Sequence, residues 1–524
     1  MLRKMLLAAT ALVGALPGVA SAAWYEGSSK HFVVYSNDSP EQVKAQTAKL
    51  ERFDKAVRVA LGLTEPDVGP DARVVVFVVP DLSDVQKMMG GGSGSRNVAG
   101  FYRSDYPSGP FSFVPKNSDG GTLSPRMVLQ HEYTHHIMYS SWGDVVFPGW
   151  FSEGFAEFFA TARVQDDGSV VIGAVPLYRS YGIDQMNQYP IEKLVSGYPD
   201  YTNAMQTQIF YGRSWLLAHY MMLDAGRAKI LGAYIAAINE GKSADDAEKL
   251  LGITPSLDIK LNAYGRRPSL PGVTLPAAKV PIGEVTVRAL TEGEAAIMPM
   301  RMRSHAGVDD KQAQEVVVKA RALAAPYPND PGVQNELAEA EFDAGNYAAS
   351  DAAADRVLAV DPKSVHGLIY KGRAQMELLK AAKNTDPAKW VAARRWFVAA
   401  NKADGLYSWP IQLYYESFGV SKQPMTPSAK TGLLFAYKLS PQNLGLRMEA
   451  AHVLLTDKNL KAARVALEPI AYSERPGPVS DVAKKAIAAI DAGDGAGALA
   501  IIDAPPKKDD DKKGDDKKGD DKKS

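Results

Sequence analysis

The stretch that most constrains this chain is His131-Glu132-Tyr133-Thr134-His135, followed by Trp150-Phe151-Ser152-Glu153-Gly154-Phe155-Ala156-Glu157. On a helix, at about 100° per residue, histidines four positions apart return to nearly the same face, roughly 6 Å apart along the axis. Both imidazoles can then reach one tetrahedral Zn²⁺ at about 2.0–2.1 Å from each nitrogen. Glu132 stands beside that position, where a carboxylate can take a proton from water. Glu153 offers a third ligand. Three protein ligands leave a fourth position open, which marks a catalytic rather than a structural site.

The surroundings permit this helix. Ser124 supplies an N-cap and Pro125 a favoured first-turn residue, and Arg126 to Ser140 contains neither Gly nor Pro. The helix is expected to end near Trp142-Gly143. After a turn marked by Gly143, Pro148 and Gly149, Trp150 to Arg163 reads as a second helix. The intervening residues suffice for a reversal, so an antiparallel pair can bring Glu153 back to the histidines. His136 lies about 100° around from His135 and is read as structural.

These residues resemble the gluzincin metallopeptidases, which hold zinc with two His and a Glu from the next helix. The Trp-x-Ser-Glu-Gly-x-Ala-Glu wording is similar to the bacterial peptidase-MA-like members and to the Asn-Glu-Gly-Phe-Ala block of gluzincin aminopeptidases. The resemblance implies His131, His135 and Glu153 as zinc ligands and Glu132 as general base. It implies Glu157 as a carboxylate bonded to a ligand histidine, fixing its tautomer. It also implies hydrolysis of a peptide or protein by zinc-activated water, with Glu132 passing the proton to the leaving amine. The oxyanion needs a further donor, which gluzincins supply from a downstream Tyr or His. Here Gln206 to Met222 reads as a helix with Tyr211, Trp215 and His219 on one face. Tyr211 is the preferred donor, with His219 and Tyr220 behind it. An aromatic core stripe with Phe210, Trp215 and Leu216 is the competing reading of that face.

Upstream residues supply strands for an α+β zincin-like domain over residues 23–270. His31–Ser36 has strand composition, and Ser39-Pro40-Glu41 caps a helix running to about Leu61. Arg73–Val79 is a continuous apolar strand between Pro70 and Pro80, as expected of a buried sheet member. Short strands are expected near Gly100–Arg103 and Phe111–Pro115. By analogy with gluzincins, Ala99–Arg103 or Phe111–Val114 could pair with substrate backbone by strand addition. The Gly90–Ser95 run lacks a following Gly-Lys-Ser/Thr and reads as a flexible loop rather than a phosphate cradle.

Residues 1–22 have the pattern of a cleaved signal peptide: Arg3-Lys4, an apolar run from Met5 to Leu16, then Ala20-Ser21-Ala22. The expected compartment is a bacterial periplasm or the exterior, with no membrane span in the mature protein. The chain has no cysteine, which excludes disulfides, a thiol nucleophile and a lipidated cysteine. Its 60 basic residues balance 60 acidic ones, with no basic stripe, so nucleic acid is not an expected partner.

Residues 271–308 read as a connector, with strand-like texture at Val285–Leu290 and Ala296–Met302. Residues 309–504 are Ala-rich and read as an all-α helical-repeat domain. Ala338, Ala340, Gly345, Tyr347, Ala352 and Pro362 fall at offsets resembling a tetratricopeptide repeat, and Pro441–Pro469 forms a weaker copy. Between them, 363–440 reads as helical but irregular, with long insertions. Such a solenoid could bind a protein partner. The Lys/Asp tail at 505–524 is expected to be disordered. Two functions follow: an exported zinc peptidase, or an inactive gluzincin-fold scaffold whose repeats bind a partner.

Overall fold

The computed structural model describes residues 23–88, 100–103, 108–116, 123–184, 189–253, 255–473 and 477–504. The leader-like residues, Gly90–Ser95, Ala99 and the tail lie outside them. In chain order the first half contains β1 (Tyr25–Ser28), β2 (Phe32–Ser36), α1 (Pro40–Leu61), β3 (Val74–Val79), α2 (Leu82–Met88), β4 (Phe101–Arg103) and β5 (Phe111–Pro115). Then come α3 (Pro125–Ser141), α4 (Gly149–Ala160), β6 (Arg163–Val164), β7 (Val170–Ile172), α5 (Ser180–Asp184), α6 (Ile191–Val195) and α7 (Ala204–Met222). Helices α8 (Ala225–Asn239), α9 (Ala244–Leu251) and α10 (Pro255–Gly265) follow, then β8 (Val273–Leu275) and β9 (Thr286–Ala289).

The main sheet has the order β4-β5-β3-β2-β1-β9, and β6-β7-β8 form a smaller one. Strands β2, β3 and β5 pair in parallel. Their nearly unbroken burial explains the continuous apolar runs that encode them, because a parallel strand is covered on both faces. Strands β1, β9 and β4 add antiparallel flanks. Alternation along the strands splits the core in two. Phe32, Val34, Val74, Val76 and Val78 face α1 and α3, meeting Phe53 and Tyr133. Val33, Tyr35, Phe77, Val79 and Phe113 face the other way, onto Met298 and Met302.

Those two methionines belong to α11 (Glu292–His305), which corrects the strand-like reading of Ala296–Met302. Thr291 and Glu294 form a reciprocal capping box that starts the helix. The sheet's second face also needs a helical cover. Residues 271–308 therefore do not stand apart, since β8, β9 and α11 join both sheets and the helices beyond.

The second half is helical: α12 (Asp310–Ala324), α13 (Pro331–Asp343), α14 (Tyr347–Val360), α15 (Val365–Ala381), α16 (Pro387–Ala403) and α17 (Ser408–Ser421). It continues with α18 (Pro427–Leu439), α19 (Leu444–Thr456), α20 (Leu460–Ala471), α21 (Pro478–Asp491) and α22 (Gly495–Asp503). Each helix packs on the next, as a helical repeat requires. Ala338, Ala340, Ala353 and Ala354 are buried, letting α13 and α14 approach closely. Gly345 closes α13 at φ +76°, a conformation that costs glycine little. The irregularity expected over 363–440 is not there. Helices α15 to α18 are joined only by 382–386, 404–407 and 422–426. Their larger residues, such as Trp390, Phe397 and Trp409, share one buried core with the alanines of α13 and α14 and conceal the repeat in the sequence. Among the described residues, no helix is long and apolar enough to cross a membrane.

Candidate metal centre

Helix α3 starts where Ser124 accepts a hydrogen bond from the Met127 amide, with Pro125 in the first turn. It carries His131, Glu132 and His135. Helix α4 is buried along its whole length, so its residues are placed by packing on every side. Its glycine has a specific role. A Cβ on Gly154 would lie 2.2 Å from the Ser214 carbonyl oxygen, so α4 and α7 touch backbone to backbone beside Glu153.

This crossing brings the donors together. His131 Nε2 lies 3.2 Å from His135 Nε2 and 3.2 Å from Glu153 Oε2, while His135 Nε2 lies 3.7 Å from the same oxygen. Ligands of a tetrahedral zinc with bonds of about 2.0–2.1 Å stand about 3.3 Å apart. Glu153 Oε2 is buried and accepts no hydrogen bond from the protein, whereas Oε1 accepts one of 3.0 Å from the Tyr211 hydroxyl. A buried orphan oxygen aimed at two imidazole nitrogens is a donor set that fits zinc. Burial pushes the Glu153 carboxyl up, but the two imidazoles outweigh it and hold it well below the usual range.

The far sides of the imidazoles are also occupied. His131 Nδ1 lies 3.5 Å from Glu157 Oε1, and His135 Nδ1 lies 3.3 Å from Ser152 Oγ, itself 2.8 Å from the Tyr139 hydroxyl. Hydrogen donated from each Nδ1 leaves the Nε2 lone pair for a cation. Glu157 is fully buried, and Arg179 donates to its Oε1 from Nε at 2.9 Å and from Nη2 at 2.7 Å. Tyr178 donates to Glu157 Oε2. The Arg179 guanidinium also lies 4.5 Å from the Tyr211 ring centre, tying that ring to the network. Burial, followed by the Glu153 charge, raises the Tyr211 hydroxyl far above its usual range, so it is a neutral donor.

Glu132 and Tyr211 line one cleft with the histidines and with Tyr102 and Arg103. Tyr102 and Arg103 lie on β4, at one end of the main sheet among the described residues. Between the two strands left open by the sequence, β4 is therefore the edge and β5 is interior. His219 is not in the cleft. It is buried between Tyr264, at 2.9 Å from Nδ1, and the carbonyls of Gly173 and Pro271, each 3.1 Å from Nε2. Burial lowers its pKa to about 4. Tyr220 packs under Arg227, whose Cζ lies 3.9 Å from its ring centre. His136 stacks on Tyr133, ring centres 5.4 Å apart, and burial lowers it to about 3.

The sequence motif contains Ser152 but not its contact with His135, and it does not single out Tyr178 or Arg179. Ser152 adjoins Glu153 and could have been found from its place on the same helix. Tyr178 and Arg179 sit in an aperiodic segment, and nothing local marks them.

No family model matches the chain, and no curated protein does either. Among solved structures, PilF of Pseudomonas aeruginosa is 16% identical, with a TM-score of 0.32 over 40% of this chain and 88% of that one. A MamA RS-1 double mutant is 15% identical, with a TM-score of 0.26 over 34% of this chain and 92% of that one. A tetratricopeptide repeat protein from Parabacteroides merdae is 9% identical, with a TM-score of 0.28 over 52% of this chain and 90% of that one. The helical-repeat character of the second half rests on its own stacked helices, and likenesses of this size add nothing about the cleft.

Proposed function

We propose that this chain is an exported zinc-dependent peptidase of the zincin-like α+β type, with a helical-repeat domain behind it. The observation that supports this most is the convergence of His131 Nε2, His135 Nε2 and Glu153 Oε2 at zinc-ligand spacing. Zinc held there would acidify a water and polarise a peptide carbonyl. Glu132, next to His131 and open to the same cleft, accepts the proton of the attacking water and returns it to the leaving amine. Tyr211 is the donor for the developing oxyanion, exchanging its bond to Glu153 for one to substrate. The β4 edge offers backbone groups to an extended substrate. The leader-like pattern of residues 1–22 supports export to a bacterial periplasm or beyond.

Glu132→Gln tests this reading. It should leave zinc at one equivalent by elemental analysis and lower kcat/KM on a peptide library by about 10²–10⁴-fold, the range expected for a general base. The stacked repeats favour a second reading, a scaffold that binds a protein partner and no longer cleaves. Wild type and Glu132→Gln being equally inert on the library would establish it over the first.

A further inference from the structure

The cleft does not end with the zincin-like half. Across from the histidines it is lined by Pro441, Gln442 and Leu444, where α18 turns into α19, and by Pro469 and Tyr472 at the end of α20. Its floor between the two halves is Val145, Val146 and Phe147, from the loop joining α3 to α4. Leu444 and Tyr472 are 36% and 47% exposed, and both open onto this one space. Exposed apolar side chains gathered in a cleft mark a binding surface rather than ordinary surface scatter.

The far wall is fixed in place. A Cβ on Gly143 would lie 2.5 Å from the Pro441 ring, so the two halves touch with no room for a side chain. Arg447 is almost wholly buried and donates to the Gly143 carbonyl and, at 3.0 Å, to the Tyr437 hydroxyl. Tyr437 donates to Asp144 Oδ1 at 2.6 Å, and the Arg447 guanidinium lies 3.4 Å from that oxygen. The Arg447 guanidinium thus faces Asp144, while Val145, Val146, Phe147, Leu444 and Tyr472 supply an apolar part of the lining beside Gln442 and Ser473.

We infer that the helical repeats form the second wall of the substrate cleft, and that Leu444 and Tyr472 with Val145–Phe147 make an apolar subsite. The occupant is an extended polypeptide segment with a large apolar side chain next to the scissile bond. The inference rests on the peptidase reading above. A cleft of about 290 Å³ is at the small end of ligand sites and takes one extended strand, not a folded domain. The β4 strand, whose Tyr102 and Arg103 line the same cleft, would hold the backbone of that segment.

The test uses the full chain, with Leu444→Asp and Tyr472→Ser made singly. Asp suits position 444, directly after the Asn443 cap of α19, because an acidic residue in the first turn favours the helix. Cleavage of an unstructured peptide library, read by mass spectrometry, should place wild-type cuts beside large apolar residues. Each variant should lose about tenfold in kcat/KM on those peptides, the scale of a lost apolar contact, with zinc still at one equivalent. Cuts without apolar preference, or variants equal to wild type on the same peptides, would overturn the inference. If no peptide is cut, the peptidase reading fails. The wall is then tested by fluorescence polarisation, titrating one apolar and one acidic labelled peptide into Glu132→Gln with and without Leu444→Asp. A preference for the apolar peptide that Leu444→Asp removes supports the subsite, and equal binding refutes it.

Discussion

His131 turns its Nε2 toward Glu153 and its Nδ1 toward Glu157, so one ring carries both the proposed ligand atom and the contact that orients it. Arg179 and Tyr178 hold Glu157 in position. Exchanging its carboxylate for an amide keeps the size but leaves one acceptor oxygen for His131, Arg179 and Tyr178 together, and removes the counter-charge of Arg179. Glu157→Gln should therefore weaken zinc binding about 10–100-fold, the usual effect of losing such a partner. Competition with a chromogenic chelator measures this. An unchanged zinc dissociation constant would show that Glu157 serves only to anchor Arg179.

At the scale of elements, the site depends on two helices crossing without side chains between them. Gly154 on α4 meets Ser214 on α7, and Gly212 on α7 meets Gly182 of α5, where a Cβ would lie 2.8 Å from the Gly182 carbonyl carbon. These contacts carry Tyr211 to Glu153. An added methyl at either point meets backbone, which cannot rotate away. Gly154→Ala should cost about 1–3 kcal/mol by the measure of other overpacked cores, read as a lower urea midpoint. It should also weaken zinc binding, because Glu153 is the neighbouring residue. Full stability with full zinc affinity would mean that α4 and α7 can slide apart without consequence.

Across the whole molecule, polar contacts between the two halves include these two among the described residues. Near the cleft the contact is Arg447 against Gly143 and Asp144. On another side, the Asp404 carboxylate accepts the Asp71 amide at 3.0 Å, and a Cβ on Gly69 would collide with it. Within the repeats a different carboxylate is placed at a cost. Burial, followed by the nearby Glu416 charge, raises the Glu449 carboxyl to about 9. A raised acid binds its proton more tightly in the folded state. Its contribution is therefore complete below the ordinary value of 4.5 and is lost progressively as pH rises toward about 9. Glu449→Gln keeps the hydrogen-bonding shape and removes this loss. The variant should melt higher than wild type at pH 8, with the difference shrinking toward pH 5, in scanning calorimetry. A pH-independent difference would argue that Glu449 ionises in the fold without penalty.

The local spacings carried much of this protein in the sequence alone. The His131–His135 interval, the Ser124-Pro125 cap and the apolar runs of β2, β3 and β5 act over a few residues, and there bond geometry and burial leave one arrangement. The motif also pointed to Glu153, since a reversal of that length returns an antiparallel helix to the first. What short-range patterns could not contain was decided by the tertiary fold. Ala296–Met302 became a helix because the sheet's second face had to be covered. Arg179 reached Glu157 from a single 3-10 turn, and β4 rather than β5 took the end of the sheet among the described residues. Residues more than 300 positions beyond His131 came to wall its cleft. Their approach is set by how buried surfaces far apart in the chain fit together, and no spacing along the chain records that fit.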